Sequence, residues 1–230
     1  MAEKVAAKES FQEMTARLLK QAEEESLLDK EASQAQILSP ILEKQPAKVE
    51  NCPLWFDAEK VPTRVQEQAE KCLDFLRWSQ GNLKGFPGYL IHGPLGCGKT
   101  SLSIWLTMLA KGGTFTVISD LVRSIKETWG PLATEKESEI LEEWRRKQLL
   151  IVDEVGGVQF GTTAERNVIY DVIVGRQNRC RPTIITTNCD LRSGTGREEF
   201  YQSAGARIAD RFQGFTIDAW EWGESLRRKK

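Results

Sequence analysis

Gly93-Pro94-Leu95-Gly96-Cys97-Gly98-Lys99-Thr100 fits the pattern G-x-x-x-x-G-K-S/T in full. The five residues before it, Gly88-Tyr89-Leu90-Ile91-His92, read as a short buried strand, and Ser101 to Ala110 reads as a helix. Strand, loop and helix in that order turn a string match into a mechanism. Glycines let backbone N–H groups close around phosphate oxygens, and the helix entered at Ser101 adds the positive end of its dipole. Gly93 through Ser101 then form a phosphate cradle, with Lys99 reaching the terminal phosphates of a nucleoside triphosphate and the Thr100 hydroxyl on Mg²⁺.

A second stretch, Leu149-Leu150-Ile151-Val152-Asp153-Glu154, sets four apolar residues before two carboxylates. That is the pattern of a central buried strand delivering acid at its C-terminal edge, where ligands bind in open α/β sheets. Asp153 suits Mg²⁺, which takes few direct carboxylates, and Glu154 suits an attacking water. The adjacent acid pair points to hydrolysis and away from a kinase, which hands the phosphoryl group to a substrate and needs no water base. Thr186-Thr187-Asn188 ends a further strand in polar groups, and a side-chain amide there can sense a γ-phosphate. Arg207 and Arg211 fall four residues apart on one side of a helix, Gly205 to Phe212. Phosphoryl-transfer sites import such an arginine from a neighbouring subunit; two solvated surface arginines are the alternative.

Around these motifs strands and helices alternate. Thr114–Ser119 reads as a strand, followed by a helix from Leu121 to Trp129 with Asp120 as its cap and Gly130-Pro131 as its stop. A charged helix spans Glu135 to Lys147, and Thr183–Thr187 and Phe215–Ile217 read as further strands. Upstream, a helix from near Pro62 sets Val65, Ala69, Cys72 and Leu76 on one face, with Gly81 as a stop. Ahead of it, Trp55 and Phe56 either face a bound base or pack into the core. The alternation specifies an α/β fold of the P-loop class, a parallel sheet with helices on both faces.

The chain has 230 residues, enough for one sizeable domain plus an appendage, and a formal net charge of -1. Any nucleic-acid contact must therefore come from a local patch. Its five cysteines show no C-x-x-C pair, which argues against a disulfide framework and a zinc site. A single histidine, His92, removes triad catalysis and reads as a polar residue at a strand end. With no signal peptide and no apolar run of spanning length, a cytoplasmic protein without membrane contact is expected. Residues 1–50 read as a helical extension and linker, with Phe11, Met14 and Leu18 at helical spacing and breaks at Pro40 and Pro46. So polar a helix either docks on a partner or stays partly disordered. Residues 51–230 form the main domain.

The ordered set of motifs resembles the AAA+ ATPases of the bacterial replicative helicase-loader group, the DnaC and DnaI type, to which IstB-type ATPases are related. The likeness spans roughly Cys52 to Arg227. Besides the loop, it rests on Ile118-Ser119-Asp120-Leu121 with Lys126-Glu127-Thr128-Trp129, on Asp153-Glu154-Val155-Gly156 with Val158-Gln159, and on Arg181-Pro182-Thr183 through Asn188. Gly205-Ala206-Arg207 with Asp210-Arg211, and Trp222-Gly223-Glu224-Ser225-Leu226-Arg227, complete it.

The resemblance implies an ATPase that binds ATP and Mg²⁺ and associates with copies of itself. It further implies binding to the hexameric replicative DNA helicase through the N-terminal extension, and help in placing that helicase on single-stranded DNA in replication initiation. It gives Lys99 and Thr100 to nucleotide and metal, Asp153 and Glu154 to metal and water, Asn188 to phosphate sensing, and Arg211, with Arg207 beside it, to action in trans. It makes Lys126 and Trp129 candidates for a DNA phosphate and a stacking contact, against a core role for Trp129. Gly156-Gly157-Val158 carries one glycine more than the family run, and the loop from Phe160 to Ala164 lacks an aromatic expected to help grip DNA. Thr162 and Arg166 remain as phosphate partners there. About a dozen residues follow Phe215-Thr216-Ile217, too few for a helical lid, as in loaders of this group; weak hydrolysis by a monomer is expected. The basic end, Arg227 to Lys230, is a solvated tail or a nucleic-acid contact. The rival functions are an IstB-like ATPase assisting a transposase and an ATP-binding adaptor without significant hydrolysis.

Overall fold

The structure, a computed structural model, describes residues 47–79, 81, 83–110, 112–156, 163–223 and 225–226, the side chains of residues 164 and 165 excepted. The expected N-terminal helix, Thr162 with the loop around it, and the basic end from Arg227 lie outside the described residues. Six strands form one sheet in the order β1-β3-β4-β5-β2-β6: β1 Val49–Glu50, β2 Gly88–His92, β3 Gly113–Val117, β4 Leu150–Asp153, β5 Thr183–Thr187 and β6 Thr216–Asp218. Every neighbouring pair is parallel. The described α-helices are α1 Thr63–Glu70, α2 Leu73–Ser79, α3 Lys99–Leu109, α4 Ile118–Lys126, α5 Glu137–Arg146, α6 Thr163–Gln177, α7 Gly194–Ala204 and α8 Ala206–Arg211.

Side chains of a strand alternate between its two faces, and the central strands are apolar on both. Leu90 of β2, Leu150 and Val152 of β4 and Ile185 of β5 join one buried cluster with Ile118, Leu121, Val122 and Ile125 of α4. Ile140 and Leu141 of α5, Val168, Ile169, Val172 and Ile173 of α6, Phe200 of α7 and Ile208 of α8 complete that layer. On the other face, Tyr89 of β2 stacks at 6.3 Å on Phe75 of α2 and meets Phe86 edge-on at 5.1 Å. Alternate residues of the same strands thus serve helices on opposite faces, as continuous apolar runs demand.

The strand ends position the site. His92 of β2 is in register with Thr187 of β5, and Val152 of β4 with Ile185. The turns that follow β2, β4 and β5 therefore open along one edge of the sheet, bringing Gly93, Glu154 and Asn188 together.

Several boundaries differ from the sequence expectation. β1 already pairs with β3, Val49 with Gly113 and Glu50 with Thr114, ahead of the expected domain start at Asn51. β3 ends at Val117 and α4 begins at Ile118, so Asp120 is not its cap but a first-turn acid, 3.1 Å from Arg123. Ile118, Leu121, Val122 and Ile125 follow helical spacing and bury together, and that apolar face outweighs the capping signal. The helix expected from Pro62 is two helices. Lys71 and Cys72 donate to Gln68 and Ala69 in tightened turns, and the chain restarts with Phe75 and Leu76 both fully buried. Among the described residues no helix is long and apolar enough to cross a membrane.

Candidate nucleotide site

The turn after β2 takes left-handed backbone at Gly96, φ 77°, and Gly98, φ 111°, conformations that favour glycine. Gly98 accepts from Leu102 N–H at 2.8 Å, which starts α3 directly behind the loop. A Cβ at Gly98 would also meet Val65 and Leu226 side chains at 3.2 Å. Lys99 is buried, 6% exposed. Its Nζ donates at 2.8 Å to Gly93 O, to Pro94 O and to Asn188 Oδ1. The loop lysine and the amide at the end of β5 therefore meet, although 89 residues separate them.

Beside this pair lies the acid strand. Thr100 Oγ1 sits 3.0 and 3.1 Å from the two oxygens of Asp153, and Thr186 Oγ1 donates to Asp153 Oδ1. Burial pushes the Asp153 carboxyl above its ordinary pKa, while the Thr186 and Thr100 hydroxyls pull the other way. A hydroxyl and a buried carboxylate facing each other suit a hard divalent cation, whose charge would offset that burial. Glu154 is exposed and takes left-handed backbone, φ 61°, with its N–H donating to Thr186 Oγ1 at 3.1 Å. Such a conformation costs a non-glycine residue roughly 1–2 kcal/mol. Strain of this kind gathers at functional positions.

A cavity of about 760 Å³ joins these groups. Lys99, Thr100, Asp153, Glu154 and Asn188 line its polar part; Trp55, Phe56, Val61, Leu95 and Leu226 line an apolar part. Its size and its split into apolar wall and convergent polar groups suit a nucleotide. Trp55 is 61% exposed, which sets aside a core role for it.

A family model described as IstB-like ATP binding protein matches residues 3–202. The chain belongs to the IstB-like ATP-binding family. No curated protein matches this IstB-like chain. Among solved structures it is similar to the DnaC helicase loader, with a TM-score of 0.53 and 22% identity over 68% of this chain and 89% of that one. Similarity to DnaI gives 0.56 and 21% over 75% and 96%. The AMPPCP-bound DnaA of Aquifex aeolicus gives 0.53 and 18% over 75% and 50%. What these likenesses share is the fold, an α/β P-loop sheet of the AAA+ type.

The remaining candidates of this IstB-like chain fall elsewhere. Neither Arg207 nor Arg211 is among the described residues lining its cavity. Both lie on α8 over the Tyr170 ring, and Arg211 Nη1 donates to Gln177 Oε1 at 3.0 Å. Lys126 ends α4, but Trp129 falls in a following 3₁₀ turn, Glu127–Trp129, not in the α-helix expected there. Trp129 is 43% exposed and donates its indole N–H to Glu137 Oε2 at 2.7 Å, so it is no core aromatic. Arg166 donates to Gln202 O at 3.0 Å and to Thr163 Oγ1 at 3.3 Å, tying α6 to α7. His92 is buried at the end of β2, and burial lowers its pKa, which keeps the imidazole neutral. All five cysteines are free, and no metal-binding cluster of His, Cys, Asp and Glu occurs among the described residues.

Three contacts of the site were not visible in the sequence. Arg64 of α1 donates from Nη2 to Cys97 O at 3.1 Å and from Nη1 to Trp222 O. Leu226 N–H donates to Gly96 O at 2.9 Å, and Thr186 bridges Asp153 to the Glu154 backbone. Each joins segments far apart in sequence through a carbonyl or a hydroxyl, groups that carry no local signature. For Thr186 the polar strand end was the only hint.

Proposed function

We propose that this chain is an ATP-dependent loader of the replicative DNA helicase, in which ATP binding and hydrolysis switch an assembly. The observation that carries the ATPase part is the bridge from Lys99 Nζ to Asn188 Oδ1, in one cavity with Thr100, Asp153 and Glu154. On this proposal ATP phosphates replace the Gly93 and Pro94 carbonyls at Lys99, and the backbone N–H groups from Leu95 to Ser101 wrap them. Thr100 and Asp153 would hold Mg²⁺, which would supply positive charge to the phosphates. Glu154 orients and polarises the attacking water, and Asn188 registers the γ-phosphate through the same Lys99. Arg211, with Arg207 beside it, serves the nucleotide of a neighbouring copy, so hydrolysis by a lone chain is weak.

The loader part is supported by the fold shared with the structures of the DnaC helicase loader and of DnaI. The segment ahead of β1 would hold the hexameric helicase, and Lys126 and the exposed Trp129 would meet single-stranded DNA. Such a protein works in the cytoplasm. Co-purification with the cognate replicative helicase, with and without ATP, tests this. A nucleotide-dependent complex is expected; no complex in either state would end the loader reading while leaving the ATPase reading intact.

A second reading, an ATPase assisting a transposase as the IstB-type resemblance implies, is supported by membership of the IstB-like ATP-binding family. It predicts capture of a transposase and preference for duplex DNA over single strands. Competition between the two DNA forms separates the readings.

A further inference from the structure

Arg207 and Arg211 project from α8 onto one stripe of α6. The Arg211 guanidinium carbon lies 5.7 Å from the centre of the Tyr170 ring, and that of Arg207 lies 5.9 Å from it. Arg211 also donates to Gln177 Oε1 at 3.0 Å. Tyr170 and Gln177 are seven residues apart, which in an α-helix returns to the same azimuth within about 20°. One helix therefore offers a ring face and a fixed acceptor to the same guanidinium.

Tyr170 packs against the buried cluster without being enclosed by it. Val168, Ile169, Val172, Ile173 and Arg176 take buried positions of α6, whereas Tyr170 and Gln177 are only half-buried. The two guanidinium groups, Arg211 first and Arg207 second, hold the Tyr170 phenol below its ordinary pKa. A long arginine left in solvent samples many rotamers, freedom that must be lost before it can act at a fixed point. A face for cation–π contact and a bonded amide oxygen remove much of that freedom in advance.

We infer that Tyr170 and Gln177 are positioning residues, forming a seat that presets the Arg211 guanidinium for the nucleotide of a neighbouring copy. Arg207 shares the ring and keeps a second cation at the same corner. The inference rests on the proposed trans role of Arg211. It adds that the subunit giving the arginine, not the one holding the ATP, needs the seat.

That asymmetry supplies the test. Tyr170→Ala, Tyr170→Phe and Gln177→Ala are made in the full chain and ATP turnover is measured at a concentration where the rate per chain has stopped rising. Each is measured alone, mixed equally with Glu154→Gln, and mixed equally with Arg211→Ala. Alone, Tyr170→Ala and Gln177→Ala should lose about tenfold or more in kcat, with KM and ATP affinity unchanged. Tyr170→Phe, which keeps the ring face, should lose less.

Mixing with Glu154→Gln, which keeps an intact seat and arginine, should restore turnover; mixing with Arg211→Ala should not. If Arg211→Ala is inactive while Tyr170→Ala and Gln177→Ala turn over normally, the seat is wrong and the trans arginine stands. If Glu154→Gln fails to rescue the seat variants, they act within their own subunit and the inference is overturned. Normal turnover by Arg211→Ala would remove the trans role and the seat with it. Should Tyr170→Ala not fold, Gln177→Ala and Tyr170→Phe decide the matter alone.

Discussion

Two buried cations stand at opposite ends of the sheet and are held in different ways. Lys99, at the C-terminal edge, gives its ammonium to two loop carbonyls and one side-chain amide. Arg176, near the N-terminal edge, is fully buried. Its Nε donates to Thr183 Oγ1 at 2.9 Å, Nη1 to Trp144 O at 2.8 Å and Lys147 O at 2.7 Å, and Nη2 to Pro182 O at 2.7 Å. Burial, and secondarily Arg181, push its pKa down to about 9, still well above neutrality, so it stays charged. The planar fork of Arg176 is locked by acceptors from three segments, the end of α5, the turn before β5 and β5 itself. The ammonium of Lys99 is a point charge on a flexible stem, and its carbonyl partners can be exchanged for phosphate oxygens. One cation fastens the fold, and on the proposed reading the other is held for a ligand.

Lys99→Ala should break this contrast most sharply if it is wrong. ATP affinity should fall by at least about a hundredfold, since the substitution deletes charge-assisted bonds to phosphate. The urea midpoint of the nucleotide-free protein should move little. Retained affinity measured by titration calorimetry would mean that Lys99, like Arg176, is a structural cation.

Glu154→Gln comes next. Isosteric and still able to bond, glutamine should preserve ATP affinity while turnover falls by about a hundredfold or more, the usual scale for losing a general base. Normal turnover would remove Glu154 from the water-orienting role and turn its left-handed backbone into a feature of the turn alone.

Arg176→Lys tests the opposite pole. Lysine keeps the charge but offers three donors where four acceptors wait, leaving at least one buried oxygen unmatched. Stability should drop by about 2–3 kcal/mol by chemical denaturation, with ATP affinity per folded chain unchanged. A variant as stable as the parent but weak in ATP binding would invert the comparison.

The difference between the two poles also explains what the sequence could reveal. Gly93 to Thr100 and Leu149 to Glu154 are contiguous, and their chemistry follows from residue types in a fixed local geometry. Asn188 was legible because it ends a strand, and strand ends converge in this fold. Arg176 carried no signal: an arginine inside a helix usually reads as a solvated face, and nothing local announces the acceptors waiting in Trp144 and Pro182. The start of α4 was misplaced because Asp120 looked like a cap while the Ile118–Ile125 face buried itself. The break between α1 and α2 arises where the buried face passes from Val65 and Ala69 to Phe75 and Leu76. Packing set these features after local propensity had spoken.

Arg64 lies between the two kinds of cation, and its expected effect is the smallest. It donates to Cys97 O in the phosphate loop and to Trp222 O in the turn after β6, while Leu226 N–H holds Gly96 O. The loop is therefore strapped to a segment that also lines the apolar side of the cavity. Arg64→Ala should weaken ATP binding about three- to tenfold, the scale of one or two hydrogen bonds. It should also speed exchange of the Leu226 amide, whereas Arg64→Lys, which reaches without the fork, should recover only part of either effect. Faster exchange at Leu226 with unchanged ATP affinity would show that the strap stabilises the fold, as Arg176 does, and leaves the loop to bind phosphate unaided.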